Sequence, residues 1–240
     1  MTRAEPAGTG DDGGWGEPFE QALRRPLVLA SASPRRAELL RQVGLQFEVM
    51  VSESEEAAEA QDAAPAAVAM AHARAKALTI ARRVPGRIVL GADTIVVVGE
   101  RVLGKPGDAG EARAMLHMLS GASHQVITGL ALTLGDGRSA RVLDEDAVVT
   151  DVTFRELTDA EIDDYVASGE PLDKAGGYGI QERGALIVRS IRGCYFNVVG
   201  LPLARLGEML ARLGCAAGQA PAVCDEVRAA DRLPGSDTDR

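Results

Sequence analysis

The chain has 240 residues, of which 46% are hydrophobic and only 3% aromatic, so aliphatic side chains must form most of its core. The net charge of −9 excludes a general affinity for nucleic acids or anionic membranes, and any anionic ligand must be bound by a local cluster of positive charge. No apolar run approaches the roughly 18 residues of a membrane span. The three cysteines form no CxxC pair, and their odd number favours a reducing compartment, so we expect a cytoplasmic protein.

Composition divides the chain into three parts. Residues 1–25 and 216–240 contain few apolar positions and are predicted to be disordered arms, whereas residues 26–215 are predicted to form one globular unit. The pair Arg24-Arg25 before PLVLASA resembles a short export signal. Because that apolar stretch is at the lower limit of the roughly 7 to 15 residues such signals need, a buried strand is the preferred interpretation.

In chain order, the globular unit predicts alternating strands and helices. Its first half predicts strands at 27–30, 47–51, 87–92 and 94–98, and helices at 34–43 and 65–83. In its second half, a helix is predicted at 108–119, followed by strands at 125–134 and 138–154 around a Gly-Asp-Gly turn. Thr158 and Glu161 form a capping-box pattern that begins the next helix. A strand at 186–191 and a helix at 201–213 complete the unit. This order indicates an α/β fold with a mixed, partly antiparallel sheet and flanking helices.

The first predicted helix begins with Ser33, Pro34, Arg35 and Arg36, and its two arginines stand where helices normally prefer negative charge. Ser33 suits the N-cap, and Pro34 suits the first helical position. The amide N–H groups of a helix start attract anions, and two guanidinium groups strengthen that attraction. The pair therefore indicates a phosphate site, with solvated surface arginines as the alternative.

Lysine is rare in this chain, because only Lys76, Lys105 and Lys174 occur among its 26 basic residues. Lys105 and Lys174 lie in loops bounded by Gly and Pro, where ligand-binding residues concentrate. Asp93 lies between two predicted apolar strands, where a carboxylate is costly to bury unless it binds a metal, a proton or a cation. A turn-capping aspartate is the alternative interpretation of Asp93.

Several common signatures are missing. The chain contains no P-loop, and GGYG at residues 176–179 lacks the preceding strand of a dinucleotide-binding fingerprint. His72, His117 and His124 are scattered, without the spacing of a zinc protease or a Ser-His-Asp pattern. His72 and His117 are predicted to lie on exposed helix faces.

Five segments together resemble the Maf family of nucleoside triphosphate pyrophosphatases, and they follow the family's order between residues 27 and 213. They are LASASPRRAELL, GADTIVVVGERVLGKP, MLHMLSGASHQVITG, EPLDKAGGYGIQERGALIVRSIRG and NVVGLPL. The resemblance implies a central cleft, a fold similar to that of inosine triphosphate pyrophosphatases, and a homodimer. It also implies metal-dependent hydrolysis between the α- and β-phosphates of a nucleotide, which releases a monophosphate and pyrophosphate.

The resemblance assigns roles to individual residues. Asp93 in GADT matches the family's general base, which deprotonates the attacking water. Four residues match the positions expected to bind phosphates: Ser31, Arg36, Lys76 and Lys105. Glu53 falls where the family has an acidic residue, and with Asp93 it is expected to hold a divalent cation, Mg²⁺ or Mn²⁺.

Three positions distinguish the branches of the family, and here they are Arg35, Thr94 and Gln181. This set resembles the branch that acts on dTTP and UTP, including modified pyrimidine forms. The branch acting on 7-methyl-GTP tends to have an aromatic residue, a glutamine and an acidic residue there. A purine or 7-methyl-GTP pyrophosphatase is therefore the alternative within the same class. A non-enzymatic regulator is the alternative from another class, because the family is also linked to inhibition of septum formation.

Removal of residues 1–25 and 216–240 is expected to leave folding and turnover nearly unchanged, because both segments lack the apolar content needed for packing. Thermal unfolding and pyrophosphate release, compared between the full chain and the truncated protein, check this. A clear loss of activity in the truncated protein would contradict it.

Overall fold

The computed structural model describes residues 26–51 and 63–213, so the predicted arms at 1–25 and 216–240 lie outside the described residues. The strands are β1 (Leu27–Leu29), β2 (Phe47–Val49), β3 (Ile88–Val98), β4 (Arg101–Leu103), β5 (Ser123–Gly135), β6 (Ala140–Phe154) and β7 (Val188–Arg192). The α-helices are α1 (Pro34–Gln42), α2 (Pro65–Ala81), α3 (Ala109–Leu119), α4 (Asp159–Ala167), α5 (Tyr195–Val199) and α6 (Leu203–Arg212). None of the described helices combines the length and apolar composition needed to cross a membrane.

The strands form one seven-stranded sheet in the order β2-β1-β3-β5-β6-β7, with β4 added beside β3. β1 pairs in parallel with β2 and β3, and all other pairs are antiparallel. The prediction of a mixed, partly antiparallel α/β fold with flanking helices is confirmed. The capping box of Thr158 and Glu161 at the start of α4 is confirmed as well.

The prediction of two strands around Asp93 was wrong, because β3 runs without interruption from Ile88 to Val98. The ladder with β5 continues through this position, where Asp93 pairs with Gly129 and Thr94 with Thr128. The hydrogen bonds between strands are made by the backbone. One polar side chain therefore does not end a strand in which the residues on either side are apolar and β-branched.

The other edge of β3 is interrupted. Val89 and Leu90 pair with β1, and Val96, Val97 and Val98 pair with β4. Among the described residues, no strand lies beside residues 91–95 on that side, and we call this stretch the β3 gap. Alternation along the strand directs Asp93 toward α2 and Thr94 toward α1 on the opposite face, so both faces of the sheet contribute side chains at the gap.

Helix α2 lies unusually close to the sheet. Its buried alanines repeat every four residues, at Ala69, Ala73, Ala77 and Ala81, and form one smooth stripe. Three of them lie against glycines of β3 and β5. A Cβ atom on Gly91 would lie 2.0 Å from the carbonyl oxygen of Ala73, and equivalent close approaches occur at Gly129 with Ala69 and at Gly135 with Ala81. Only glycine permits this spacing.

On the opposite face, two hydrophobic clusters flank the gap. The first packs α1 and α6 against the start of β3 and includes Leu40, Leu90 and Leu206. The second packs α3 and α4 against the end of β3 and includes Leu116 and Phe154. The region between the two clusters is therefore occupied by polar side chains.

Gly129→Ala is expected to lower the free energy of unfolding by about 3 kcal/mol, the upper end of the usual range for overpacking, because the added Cβ would lie 2.3 Å from the carbonyl carbon of Ala69. Urea unfolding measures the change. Gly104→Ala is the matched control, because a Cβ there meets nothing within 4 Å, and it should leave stability within about 1 kcal/mol of the wild type. Equal effects of the two substitutions would contradict the close approach.

Candidate active site

A cleft of about 510 Å³ opens at the β3 gap. Its walls are the turn between β1 and α1, helix α2, the loop after β4, and the segment from Glu170 to Glu182. All the predicted site residues within the described ranges line this cleft: Ser31, Arg35, Arg36, Lys76, Asp93, Thr94, Lys105 and Gln181. The remaining one, the predicted metal ligand Glu53, lies outside the described residues.

Asp93 is buried, and each of its carboxylate oxygens has a partner on α2. The ammonium of Lys76 contacts Oδ1, and Nδ1 of His72 lies 3.2 Å from Oδ2. The two partners are four residues apart and therefore lie on the same face of the helix. The predicted exposure of His72 was wrong, because this side chain is only 5% exposed, whereas His117 is 45% exposed as predicted.

Arg36 is held rigidly by three hydrogen bonds from its guanidinium group. Nε donates to the carbonyl oxygen of Gly200 at 2.8 Å, and the two terminal nitrogens donate to the hydroxyl oxygens of Ser31 and Thr94, each at 3.0 Å. Burial lowers the pKa of Arg36 and Arg35 adds to this effect, while the negative charge of Asp93 opposes it. An arginine remains charged under such conditions, so a fixed positive charge stands at the start of α1.

A chain of buried polar groups extends behind Thr94. The hydroxyls of Thr94 and Thr128 are 2.9 Å apart, and Thr128 donates to the carbonyl oxygen of Asn197. The amide of Asn197 donates to Val126 and to Thr150, which ties α5 to strands β5 and β6. Sequence reasoning missed this network, although NVVGLPL was among the segments that carried the family resemblance.

Arg35 forms an ion pair across the mouth of the cleft. Its guanidinium donates to Oδ2 of Asp173 at 2.9 Å, and the ammonium of Lys174 donates to Oδ1 of the same carboxylate at 2.7 Å. Although burial opposes the change, the hydrogen bonds from Lys174 and Arg35 lower the pKa of Asp173. The start of α1 is thereby connected to the segment that carries Gln181.

Lys105 differs from the other cations of the cleft. It is exposed, and within the described ranges it makes no hydrogen bond or ion pair. Its ammonium is therefore available to an anion that enters the cleft. Gln181 is half-buried in the wall, and its side-chain amide likewise has no partner in the described part of the chain.

The segment around Gln181 is fixed by Glu170. Its carboxylate accepts hydrogen bonds from the hydroxyl of Tyr165 at 2.9 Å and from the backbone N–H groups of Arg183 and Gly184, each at 3.3 Å. Glu182, directly after Gln181, is the one described non-glycine residue with positive φ, at 53°. Such a conformation is uncommon and persists where its surroundings enforce it.

Tyr178 lines the cleft and is anchored from behind by a buried histidine. Its hydroxyl lies 2.7 Å from Nε2 of His124, and the ring of Phe154 packs edge-on against both side chains. Burial raises the pKa of Tyr178 and lowers the pKa of His124 to about 4. Both side chains are therefore neutral near pH 7, and neither of them adds a charge to the cleft.

Comparison with known proteins places these residues in a family context. The model of the family described as Maf-like protein matches residues 26–213. A dTTP/UTP pyrophosphatase of Symbiobacterium thermophilum is 54% identical over 188 residues, which cover 78% of this chain and 94% of the relative. A protein of the same name from Bacillus cytotoxicus is 49% identical over 196 residues, which cover 82% of this chain and 100% of the relative.

Among solved structures, a HAM1 protein from Coxiella burnetii aligns with a TM-score of 0.40 and 14% identity, over 87% of this chain and 99% of that chain. The family model spans both sides of the cleft, from the strand before Ser31 to the last helix. The chain therefore belongs to the Maf-like protein family.

Proposed function

We propose that this chain is a nucleoside triphosphate pyrophosphatase that hydrolyses dTTP and UTP to the monophosphate and pyrophosphate. The observation that carries the proposal is that three cations, Arg36, Lys76 and Lys105, line the same cleft as one buried carboxylate, Asp93, and that Lys76 contacts this carboxylate directly. The names of the relatives from Symbiobacterium thermophilum and Bacillus cytotoxicus support the same reaction and the same substrates.

The cations suit a triphosphate tail. Arg36 presents a guanidinium that is already oriented by Ser31, Thr94 and Gly200, so little freedom is lost when phosphate binds. Lys76 uses one N–H on Asp93 and keeps two donors for phosphate oxygens. Lys105 contributes a further positive charge that no other described residue pairs with.

Asp93 is the proposed general base. It accepts a proton from water, the water oxygen bonds to phosphorus, and the bond between the α- and β-phosphates breaks, so that pyrophosphate leaves. The adjacent cations stabilise the charge that develops on the phosphate oxygens. Fixed donors on both oxygens of Asp93 hold the base in place before substrate arrives.

A divalent cation, Mg²⁺ or Mn²⁺, belongs to this proposal. Among the described residues, no group of three or more His, Cys, Asp or Glu side chains is placed to hold a metal. One carboxylate in a phosphate-binding cleft nevertheless fits Mg²⁺, which is usually bound by one or two carboxylates together with substrate phosphates and water. Asp93 and Glu53 would hold the ion, which when bound neutralises phosphate charge and lowers the pKa of bound water.

The base of the nucleotide must be distinguished by groups other than the phosphate-binding cations, because all nucleoside triphosphates share the same tail. We assign this role to Arg35, Thr94 and Gln181, which line the cleft. The amide of Gln181 can both donate and accept hydrogen bonds, as the O4 and N3–H edge of thymine or uracil requires.

We also propose that the protein acts as a homodimer in the cytoplasm. The family resemblance supports the homodimer, and the cysteine usage supports a reducing compartment. Sedimentation equilibrium of the full chain measures the oligomeric state, and a monomer at micromolar concentration would contradict the first part.

Asp93→Asn is expected to lower turnover of dTTP by about 10²- to 10⁴-fold, because the amide keeps the shape of the side chain and removes the proton acceptor. Fold and nucleotide binding should persist, as measured by circular dichroism and equilibrium titration with dTTP. Asp159→Asn is the matched control, because the Asp159 side chain is 90% exposed on α4 and should retain full turnover. Turnover by Asp93→Asn within threefold of the wild type would refute the assignment.

Gln181→Glu is expected to lower kcat/KM for dTTP and UTP by about 5- to 150-fold, the usual cost of one mismatched buried polar pair. An ionised glutamate accepts only, so it repels the O4 carbonyl and favours a donor-rich edge such as guanine N1–H and N2–H₂. The loss for guanine nucleotides should therefore be smaller, or become a gain. Pyrophosphate release across the common nucleoside triphosphates and 7-methyl-GTP measures the pattern.

The control for this substitution is Gln46→Glu, which makes the same change of charge at an exposed position outside the cleft. It should leave the substrate profile unchanged. If Gln181→Glu slows every nucleotide equally, Gln181 shapes the cleft in general and does not select the base.

A further inference from the structure

We propose that His72 is a positioning residue, which fixes the orientation of the Asp93 carboxylate so that it can accept a proton from water. This inference rests on the proposed function, because it assigns His72 a part in the same reaction. No motif pointed to His72. The assignment comes from the contact between its Nδ1 and Oδ2 of Asp93, at 3.2 Å, in a buried position.

The contact between His72 and Asp93 is buried. The side chain of His72 is 5% exposed and that of Asp93 is 11% exposed, so water has little access to their contact. Burying a polar ring on an alanine-rich helix costs free energy unless the ring makes a hydrogen bond. The neighbouring positions of the stripe, Ala69, Ala73 and Ala77, are filled by the smallest apolar side chain. His72 is thus a polar exception on a face built for close packing.

His72 is the donor in its contact with Asp93. An ionised carboxylate can only accept hydrogen bonds, so the contact requires the proton of a neutral His72 ring to be on Nδ1. Lys76 donates to the other oxygen, Oδ1. Donors on both oxygens remove the rotational freedom of the carboxylate, whose terminal torsion is otherwise broad. Each oxygen keeps further acceptor capacity for water or a cation.

Both donors to Asp93 are held by a rigid part of α2. His72 and Lys76 project from the part of α2 that is held against Gly91 and Gly129, where the helix backbone has no room to move toward the sheet. The donors and the acceptor are therefore fixed relative to one another by the backbone. A displacement of about 1 Å in a reacting group can cost roughly 100-fold in rate, so an oriented carboxylate matters more for turnover than for substrate binding.

The kinetic test compares two substitutions. His72→Leu removes the donor and replaces the ring by an apolar side chain of moderate size. It should lower kcat for dTTP by about 10- to 100-fold, with KM within about threefold of the wild type. His72→Asn restores an N–H on the atom bonded to Cγ, as Nδ1 is, and should return kcat to within about fivefold. His117→Leu is the matched control at an exposed position and should leave both constants unchanged.

A second measurement does not depend on activity. The chain contains three histidines, so protein labelled with [¹⁵N]histidine gives three sets of imidazole signals. The signals of His72, assigned by their loss in His72→Asn, should show a proton on Nδ1. A neutral ring with its proton on Nε2 cannot donate to Asp93 and would overturn the inference even if no variant other than His72→Asn folded.

The outcomes separate this inference from the proposed function. If Asp93→Asn abolishes turnover while His72→Leu retains the kcat of the wild type, the positioning role is wrong and the proposed function stands. If His72→Leu and His72→Asn lose kcat equally, the ring acts through packing, which also refutes the inference. If the wild type releases no pyrophosphate from dTTP or UTP, the proposed function fails, and the imidazole signals still decide whether His72 orients Asp93.

Discussion

The organisation of the cleft depends on how closely α2 approaches the sheet. Where glycines of β3 and β5 meet the alanine stripe of α2, the helix backbone lies almost in contact with the strands. This short distance brings the side chains of His72 and Lys76 to the carboxylate of Asp93, which the strand carries toward the helix. A larger residue at Gly91 or Gly129 would move the helix outward and separate the carboxylate from both donors.

The cleft concentrates positive charge in an acidic protein. The chain is acidic overall, with a net charge of −9, yet its cleft gathers several cations. Cations held close together repel one another, and acidic partners reduce the repulsion. Asp93 has this role for Lys76, and Asp173 has it for Arg35 and Lys174. Because Lys105 has no such partner among the described residues, it is the cation best able to follow an entering anion.

Much of the fold and most of the cleft could be predicted from the sequence, because the signals were local. The strand and helix patterns, the capping box at Thr158 and the charged residues Arg36, Lys105 and Asp93 all stand out within short segments. The β3 gap could not be predicted, since it results from the different lengths over which β1 and β4 pair with one strand. His72 was misplaced because an alanine-rich helix has no polar face that marks which side is buried.

The hydrogen bond from Arg36 to the carbonyl oxygen of Gly200 joins positions 164 residues apart in the chain. The contact from Arg35 to Asp173 likewise spans 138 residues. A chain that emerges from the ribosome cannot form these contacts until its last third is being made, because Asp173 and Gly200 both lie there. The first helix and strands can form early, but the oriented arginine at the start of α1 is completed late. A nascent chain therefore lacks the fully oriented Arg36 until Gly200 has been added to it.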